Sequence, residues 1–409
     1  MSASWPPAGF GSDPWYRAPA AFDPETFDPK DPAFREDPYP YYAQFRRHAP
    51  VCEVRHGRYK SYWVFTHALV DEVNADTATF LKQPVSETGE RGLFEMDPPR
   101  HAQVRCILDP LFAKATADAA DLADRMTVEA LRDVLAGPRD FDATRALANR
   151  IMRNVFMATY GVPPRHWKFV GWLIDLMLGH YDNMLPSYRR APGLLAGGVL
   201  LAYFAQLAKG CPVHPKPKGL LGRIVREGGD AGMTKAEITK TSLHFALGGY
   251  LSTQFLLTTG LHNLLTTGTY QAFLDNPSLR PGAIEEMKRH DAPFQVADRF
   301  AAKDVHLGGC DIPAGSRMTV IYGSANHDEA VFGASAERFD IRREHLPDQN
   351  RAFGHGIHRC IGAGLVADVV PVILGRIVES LPTLALGERA PVRESDPYFR
   401  GFASLPLRT

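Results

Sequence analysis

Phe353-Gly354-His355-Gly356-Ile357-His358-Arg359-Cys360-Ile361-Gly362 is a glycine-rich loop that feeds a helix predicted to start near Ile361, with a cysteine at the junction. Glycines permit positive φ and let the backbone approach a flat ligand, and free amides at a helix start favour a thiolate. Taken alone, a cysteine among glycines is more often a buried structural residue. A zinc site built with His355 and His358 lacks a fourth ligand and the usual spacing.

Working outward, the 409 residues exceed most single cores, so length alone favours two or more domains. The apolar fraction of 45% and charged fraction of 22% are those of an ordinary globular protein. With 46 basic and 46 acidic residues there is no general attraction to nucleic acid or to an anionic membrane, although a local basic patch can still dock a partner. Cys52, Cys106, Cys211, Cys310 and Cys360 form no C-x-x-C pair, and their odd number argues against a disulfide framework, which fits a reducing cytoplasm. The region from Ser4 to Pro40 lacks the basic flank and apolar stretch of a secretory signal and is read as an arm, residues 1–37. Leu243 to Leu265 has roughly the ~20 residues that cross a bilayer. His244, Ser252, Gln254, His262 and Asn263 interrupt it and Lys235 to Lys240 precede it, so a buried helix is expected instead.

The pattern predicts a small α+β region from about Pro38 to Asn154, with Tyr41 to His48 helical and Val51 to Val54 and Tyr62 to Phe65 extended. From about Asn149 to Gly268 it is almost wholly helical, with breaks at Pro163, Pro186, Gly210 and Gly228. After Asn276 it turns mixed, with Met318 to Tyr322 extended. Thr234 and Glu237 form a capping box at the start of a long helix reaching about Thr266. No internal repeat is visible.

The cysteine loop is similar to the ligand loop of cytochromes P-450, in which Phe, Gly, Gly, His, Cys and Gly recur at this spacing. Glu286-Met287-Lys288-Arg289 resembles the E-x-x-R of that family, although by itself it is only an i, i+3 salt bridge. Asp97-Pro98-Pro99-Arg100-His101 with Arg105, Gly323-Ser324-Ala325-Asn326-His327-Asp328, Ala336-Glu337-Arg338-Phe339 and Arg400-Gly401-Phe402-Ala403-Ser404-Leu405-Pro406 follow in the family's order. The likeness covers roughly residues 38 to 409. It implies a mainly α fold, a large helical body with a smaller β-rich lobe, and a single domain over 1–409. Haem b would lie between the long central helix and the loop, and Cys360 would be the iron's axial ligand. Thiolate donation to a haem iron favours cleavage of bound dioxygen. His101, Arg105, Arg299 and His358 are the implied propionate partners, with Phe353 and Gly362 around the thiolate. Glu286 and Arg289 are implied as a structural lock.

The chain departs from the family in the central helix. Gly248 and Gly249 match the small pair that opens this helix, but Leu251 stands where an acid is expected and Ser252 where a threonine is. Protons must then come through Ser252, Thr253, water or the substrate. His244 shares a helix face with Gly248 and Leu251, so it either orients an acidic or hydroxylated substrate, or supplies protons, or bonds elsewhere in the core. Leu93, Phe94, Leu247, Gly248, Leu251, Phe294, Val296 and Phe399 are expected to line the pocket beside His244. Similar stretches occur in members that act on small aromatic acids and ethers. Trp167 to Lys209, broken at Pro186 to Pro192, reads as a lid. The expected reaction is hydroxylation or oxidative dealkylation of a small hydrophobic, aromatic molecule. The alternatives are coupling, desaturation or peroxide-driven oxidation, and a non-catalytic haem sensor. A ferredoxin and its reductase are the implied electron donors to a cytoplasmic monomer without nucleic-acid or membrane partners. Arg351, His355 and Arg359 are expected to steer an acidic partner.

Overall fold

The computed structural model describes residues 23–409 other than 88, 182–186, 210–217, 345–347 and 395–397. Its principal helices are α1 (Tyr39–His48), α2 (His67–Ala75), α3 (Arg100–Thr116), α4 (Ala119–Ala136), α5 (Arg150–Tyr160), α6 (Trp167–Tyr181), α7 (Ser187–Lys209), α8 (Lys235–Thr266), α9 (Arg280–His290) and α10 (Ala363–Ser380). The largest sheet contains β1 (Val51–His56), β2 (Tyr59–Val64), β3 (Phe80–Leu81), β4 (Val296–Ala301) and β5 (Arg317–Ile321). Its strand order is β1-β2-β5-β4-β3, with β2 and β5 parallel and the other pairs antiparallel.

The capping box starts α8 as expected. The Thr234 hydroxyl accepts from the Glu237 N–H at 3.1 Å and the Glu237 carboxylate from the Thr234 N–H at 2.8 Å. Arg100 then ties the start of α3 to the same carboxylate through two bonds of 2.7 Å. The helix runs 32 residues, nearly 50 Å at ~1.5 Å per residue. Most of it is buried, from Ile238 to Leu264, which is why its polar interruptions are compatible with a core position.

Three boundaries differ from the sequence expectation. The β-rich lobe gives way to the helical body at Arg100 rather than near Asn154. Val104, Leu108 and Leu111 recur at helical spacing and join the same core as α8 and α10. The helix before α8 runs through Gly228 as a wide turn over Ile224–Gly228 and ends at Gly232, whose φ of +91° turns the chain. Pro192 lies inside α7 rather than at a break. The residues before 23, Pro186, Gly210 and Cys211 lie outside the described residues.

Candidate active site

Gly354 and Gly356 take φ of +70° and +72°, the conformation that the loop reading required. A Cβ at Gly356 would also sit 2.9 Å from the Asn74 carbonyl oxygen, so α2 and the loop approach only because this residue is glycine. The Cys360 N–H donates to the Phe353 carbonyl at 2.9 Å and closes the loop. Burial pushes the Cys360 thiol up, opposed by the N–H groups of Gly362 and Ala363 and by Arg105 and Arg359. The residue is nevertheless accessible. The accessible cysteine forms one wall of the candidate site.

The midpoint of α8 forms the other wall. Between Thr241 and Leu261 of this helix, His244, Phe245, Gly248, Gly249 and Ser252 are the accessible positions, and at about 100° per residue they make one stripe. Phe112 of α3 links the two walls. Its Cζ lies 3.8 Å from a Cβ position on Gly362, itself 3.6 Å from Cys360 Sγ, and its ring meets Phe245 at 5.6 Å. Nothing lies within 4 Å of a Cβ position on Gly248, whereas one on Gly249 would strike Phe156 at 2.1 Å. The two glycines therefore do different work. Gly248 leaves space in the cleft and Gly249 admits α5. The helix is unbroken through both, so the opened turn expected there is absent.

Leu247, Leu251 and Thr253 fall off the stripe. They are 8%, 2% and 2% exposed, turned into the helical core by the helix period. Leu247 and Leu251, expected to line the pocket, and Thr253, expected on the proton route, are thus buried in this structure. The Ser252 hydroxyl is on the stripe but donates to the Gly248 carbonyl at 2.8 Å. His244 Nε2 lies 3.7 Å from Glu95 Oε1, while Nδ1 is buried without a partner among the described residues. Against burial, His244, the Gly92 N–H and Lys240 hold the Glu95 carboxyl down to about 2. Leu93 is buried, its N–H donating to Thr241 Oγ1 at 3.1 Å, and half-exposed Phe94 meets His244 edge-on at 5.8 Å. Phe294 and Phe399 touch at 5.3 Å, and Phe399 reaches Phe255 of α8 at 6.1 Å. Val296 packs instead among Phe34, Trp63, Phe65 and Ile321 in the small lobe. A cavity of ≈ 40 Å³ there, bounded by Val296, Phe399 and Tyr398, has no residue of the cysteine loop in its lining.

The cations come together below. The His101 and His358 rings meet at 4.2 Å, tilted by 57°. Burial first, then neighbouring Arg105 and Lys82, lower His101 to about 4, and burial with Lys82 and Arg299 lowers His358 to about 2. Both imidazoles are neutral donors at pH 7. Arg299 donates to Asn74 Oδ1 at 2.5 Å and to the Asp298 carbonyl at 2.8 Å. Lys82 was missed by sequence reasoning. The pairing of Leu81 with Phe300 brings it beside Arg299, and its ammonium lies 4.1 Å from the Phe94 ring centroid. No signal in the sequence singles it out, because only strand pairing sets it against Arg299. Two buried cations side by side are unfavourable, and neither is paired with a carboxylate among the described residues. The two propionates of a haem match that need, so this donor set fits the expected group. Arg105 is engaged by Asp109 and by the Arg359 carbonyl, both at 2.7 Å.

Glu286 and Arg289 are fully buried and bonded at 2.7 and 2.9 Å. They are more than a helix pair. Arg289 also donates to the carbonyls of Asn326 and Ala336 at 2.7 Å, and Arg343, another missed residue, reaches Glu286 at 3.1 Å. Arg351 is 4% exposed and clamps Asp71 at 2.6 and 2.7 Å, so it is a structural tie and not a steering charge. Arg359 remains exposed.

The family model described as Cytochrome P450 matches residues 279–399, which include Glu286, Arg289 and the cysteine loop. The cytochrome P450 monooxygenase PikC of Streptomyces venezuelae is 29% identical, over 92% of this chain and 92% of its own. The mycinamicin IV hydroxylase/epoxidase of Micromonospora griseorubida is 26% identical over 85% of this chain and 88% of its own. The crystal structure of CYP109E1 from Bacillus megaterium in complex with testosterone superposes with a TM-score of 0.78 at 23% identity, covering 91% of this chain and 99% of that one. Whole-chain similarity, a shared fold and the matched cysteine segment agree: residues 279–399 match the cytochrome P450 family model, and most of the chain is similar to bacterial cytochrome P450 monooxygenases.

Proposed function

We propose that Cys360 would hold the iron of a haem b and that the space between it and the α8 stripe is where a small hydrophobic molecule is hydroxylated or oxidatively dealkylated. The observation that carries this reading is the accessible Cys360, two residues from His358, whose imidazole feels the buried Lys82 and Arg299. Arg299, Lys82, His101 and His358 would hold the propionates, with Arg105 sharing its guanidinium. Phe353 and Gly362 flank the thiolate. When bound, the haem supplies activation of dioxygen with two electrons.

The chain's own residues shape the rest. Phe94, Phe294 and Phe399 offer aromatic faces for substrate, which favours an aromatic or compact apolar molecule. With Leu251 in the core and the Ser252 hydroxyl donated to the backbone, no carboxylate-to-hydroxyl relay is assembled on α8. Ser252 can still accept from water, and His244, on the same helix stripe, forms a titratable pair with Glu95. Relatives named for hydroxylation and epoxidation favour oxygen insertion over coupling, desaturation, peroxide-driven oxidation or ligand sensing. The protein functions as one domain in the cytoplasm, as a monomer, with electrons from a ferredoxin and its reductase. Arg359 is on the docking side.

The test is the carbon monoxide difference spectrum of the dithionite-reduced protein, wild type and Cys360→Ala. A strongly red-shifted Soret band that vanishes in the variant is expected. A band at the imidazole-like position in both proteins would assign the iron to another ligand.

A further inference from the structure

The two lid helices carry an apolar outer face. Phe169 and Trp172 on α6 are 47% and 56% exposed, and Tyr188, Leu194, Leu195 and Val199 on α7 are 72%, 53%, 72% and 46% exposed. Their spacing is regular. Tyr188, Pro192, Leu195 and Val199 recur every three or four residues and form one stripe. The opposite face of α7, with Ala196, Leu200, Phe204 and Leu207, is buried in the helical core. On α6 Val170, Leu173 and Ile174 are buried behind Phe169 and Trp172 in the same way.

Charge is concentrated on the same pair. Lys168, Arg189, Arg190 and Lys209 lie on these helices and Arg165 just before them. Among their described residues Asp175 is the single acid, and it accepts from the Tyr250 hydroxyl of α8 at 2.6 Å. This excess arises in a chain whose basic and acidic residues balance at 46 each. Tyr188–Lys209 is also the one helix, among the described residues, long and apolar enough to cross a membrane, and a third of that stretch is buried. A helix packed on one side against the core cannot span a bilayer as it stands. It can lie along one.

We propose that the outer face of α6 and α7 rests on an anionic lipid surface, with Trp172, Leu195 and Val199 at the headgroup–acyl boundary and Lys168, Arg189 and Lys209 against the lipid phosphates. Exposed apolar stripes flanked by Lys and Arg, with Trp and Tyr at the edge, are the pattern of in-plane membrane contact. A second copy docked through the same face would set like charges against each other. An acidic protein answers the charge, but the stripe is a convex helix face and not a groove shaped for one partner. The inference stands apart from the haem chemistry.

The full chain would be sedimented with vesicles of phosphatidylcholine alone and of phosphatidylcholine mixed with phosphatidylserine. Retention on the mixed vesicles only is expected, falling with added salt and about fivefold for each of Lys168→Gln and Arg189→Gln. Leu195→Asp with Val199→Asp should abolish it while circular dichroism stays unchanged. No retention of the wild type, or equal retention of the double variant, overturns the proposal. Dimerisation in solution, or capture by an acidic carrier protein, that the double variant loses while vesicles never bind would overturn it in favour of a protein partner.

Discussion

Lys82→Met separates what the folded chain needs from what its cofactor needs. Lys82 and Arg299 are 6% and 2% exposed. Burial, then Arg299, depresses the Lys82 ammonium. Methionine keeps the unbranched stem and removes the charge. In haem-depleted protein the variant should gain about 1–3 kcal/mol, the typical return for removing an uncompensated buried charge. For a chain of 409 residues, about 2 kcal/mol raises Tm by about 2 °C. Because the folded pKa is below the unfolded value of about 10.4, the unfolded state binds more protons between the two, so wild-type stability rises with pH across that window. The variant should lose this slope. In haem-loaded protein the sign reverses. A charge-assisted bond to a propionate contributes about 1.5–3 kcal/mol, so haem affinity should fall roughly tenfold to a hundredfold. Scanning calorimetry of both forms and the rate of haem transfer to an apoprotein acceptor read the two effects. A lower Tm for the haem-depleted variant together with an unchanged transfer rate would refute the reasoning.

Gly249→Ala should destabilise by about 1–3 kcal/mol through overlap with Phe156, whereas Gly248→Ala should leave urea stability within about 1 kcal/mol and narrow the cleft, read as altered substrate-induced spectral shifts. Glu286→Gln should cost about 3–5 kcal/mol by leaving Arg289 and Arg343 buried without their anion. The Glu286 carboxyl is held down to about 2 against burial by Arg289 and Arg343, so its contribution is complete above about pH 4.3 and is lost as pH falls through about 2. Acid unfolding of the variant should lack that component. Ser252→Ala should change stability by less than about 1 kcal/mol but lower product formed per electron consumed; unchanged coupling would exclude Ser252 from proton delivery. His244→Phe should weaken substrate binding or coupling, and unchanged values for both would confine His244 to holding the Glu95 turn.

Much was legible in the sequence because it rested on local rules. The Thr234–Glu237 box, the length of the central helix, the positive-φ glycines before Cys360 and the Glu286–Arg289 pair all depend on residues a few positions apart. The assignment of α3 to the helical body was not legible, since amphipathic helices look alike whichever core they join. Which α8 residues are accessible was not legible, and Leu247, Leu251 and Thr253 are buried. Matching by alignment does not say where a helix is rotated, and burial against α5 and α10 sets that rotation. Lys82 and Arg299 are 217 positions apart in sequence, and they meet only because β3 pairs with β4. Arg351 looked like a surface charge until α2 supplied Asp71. The overall charge balance likewise hid the basic, apolar outer face of α6 and α7. Sequence alone determined the elements and the chemistry of the cysteine loop, because those arise from torsions and neighbours along the chain. Tertiary structure decided which distant charges face one another and which face of each helix is left to solvent, because those depend on packing that no local pattern encodes.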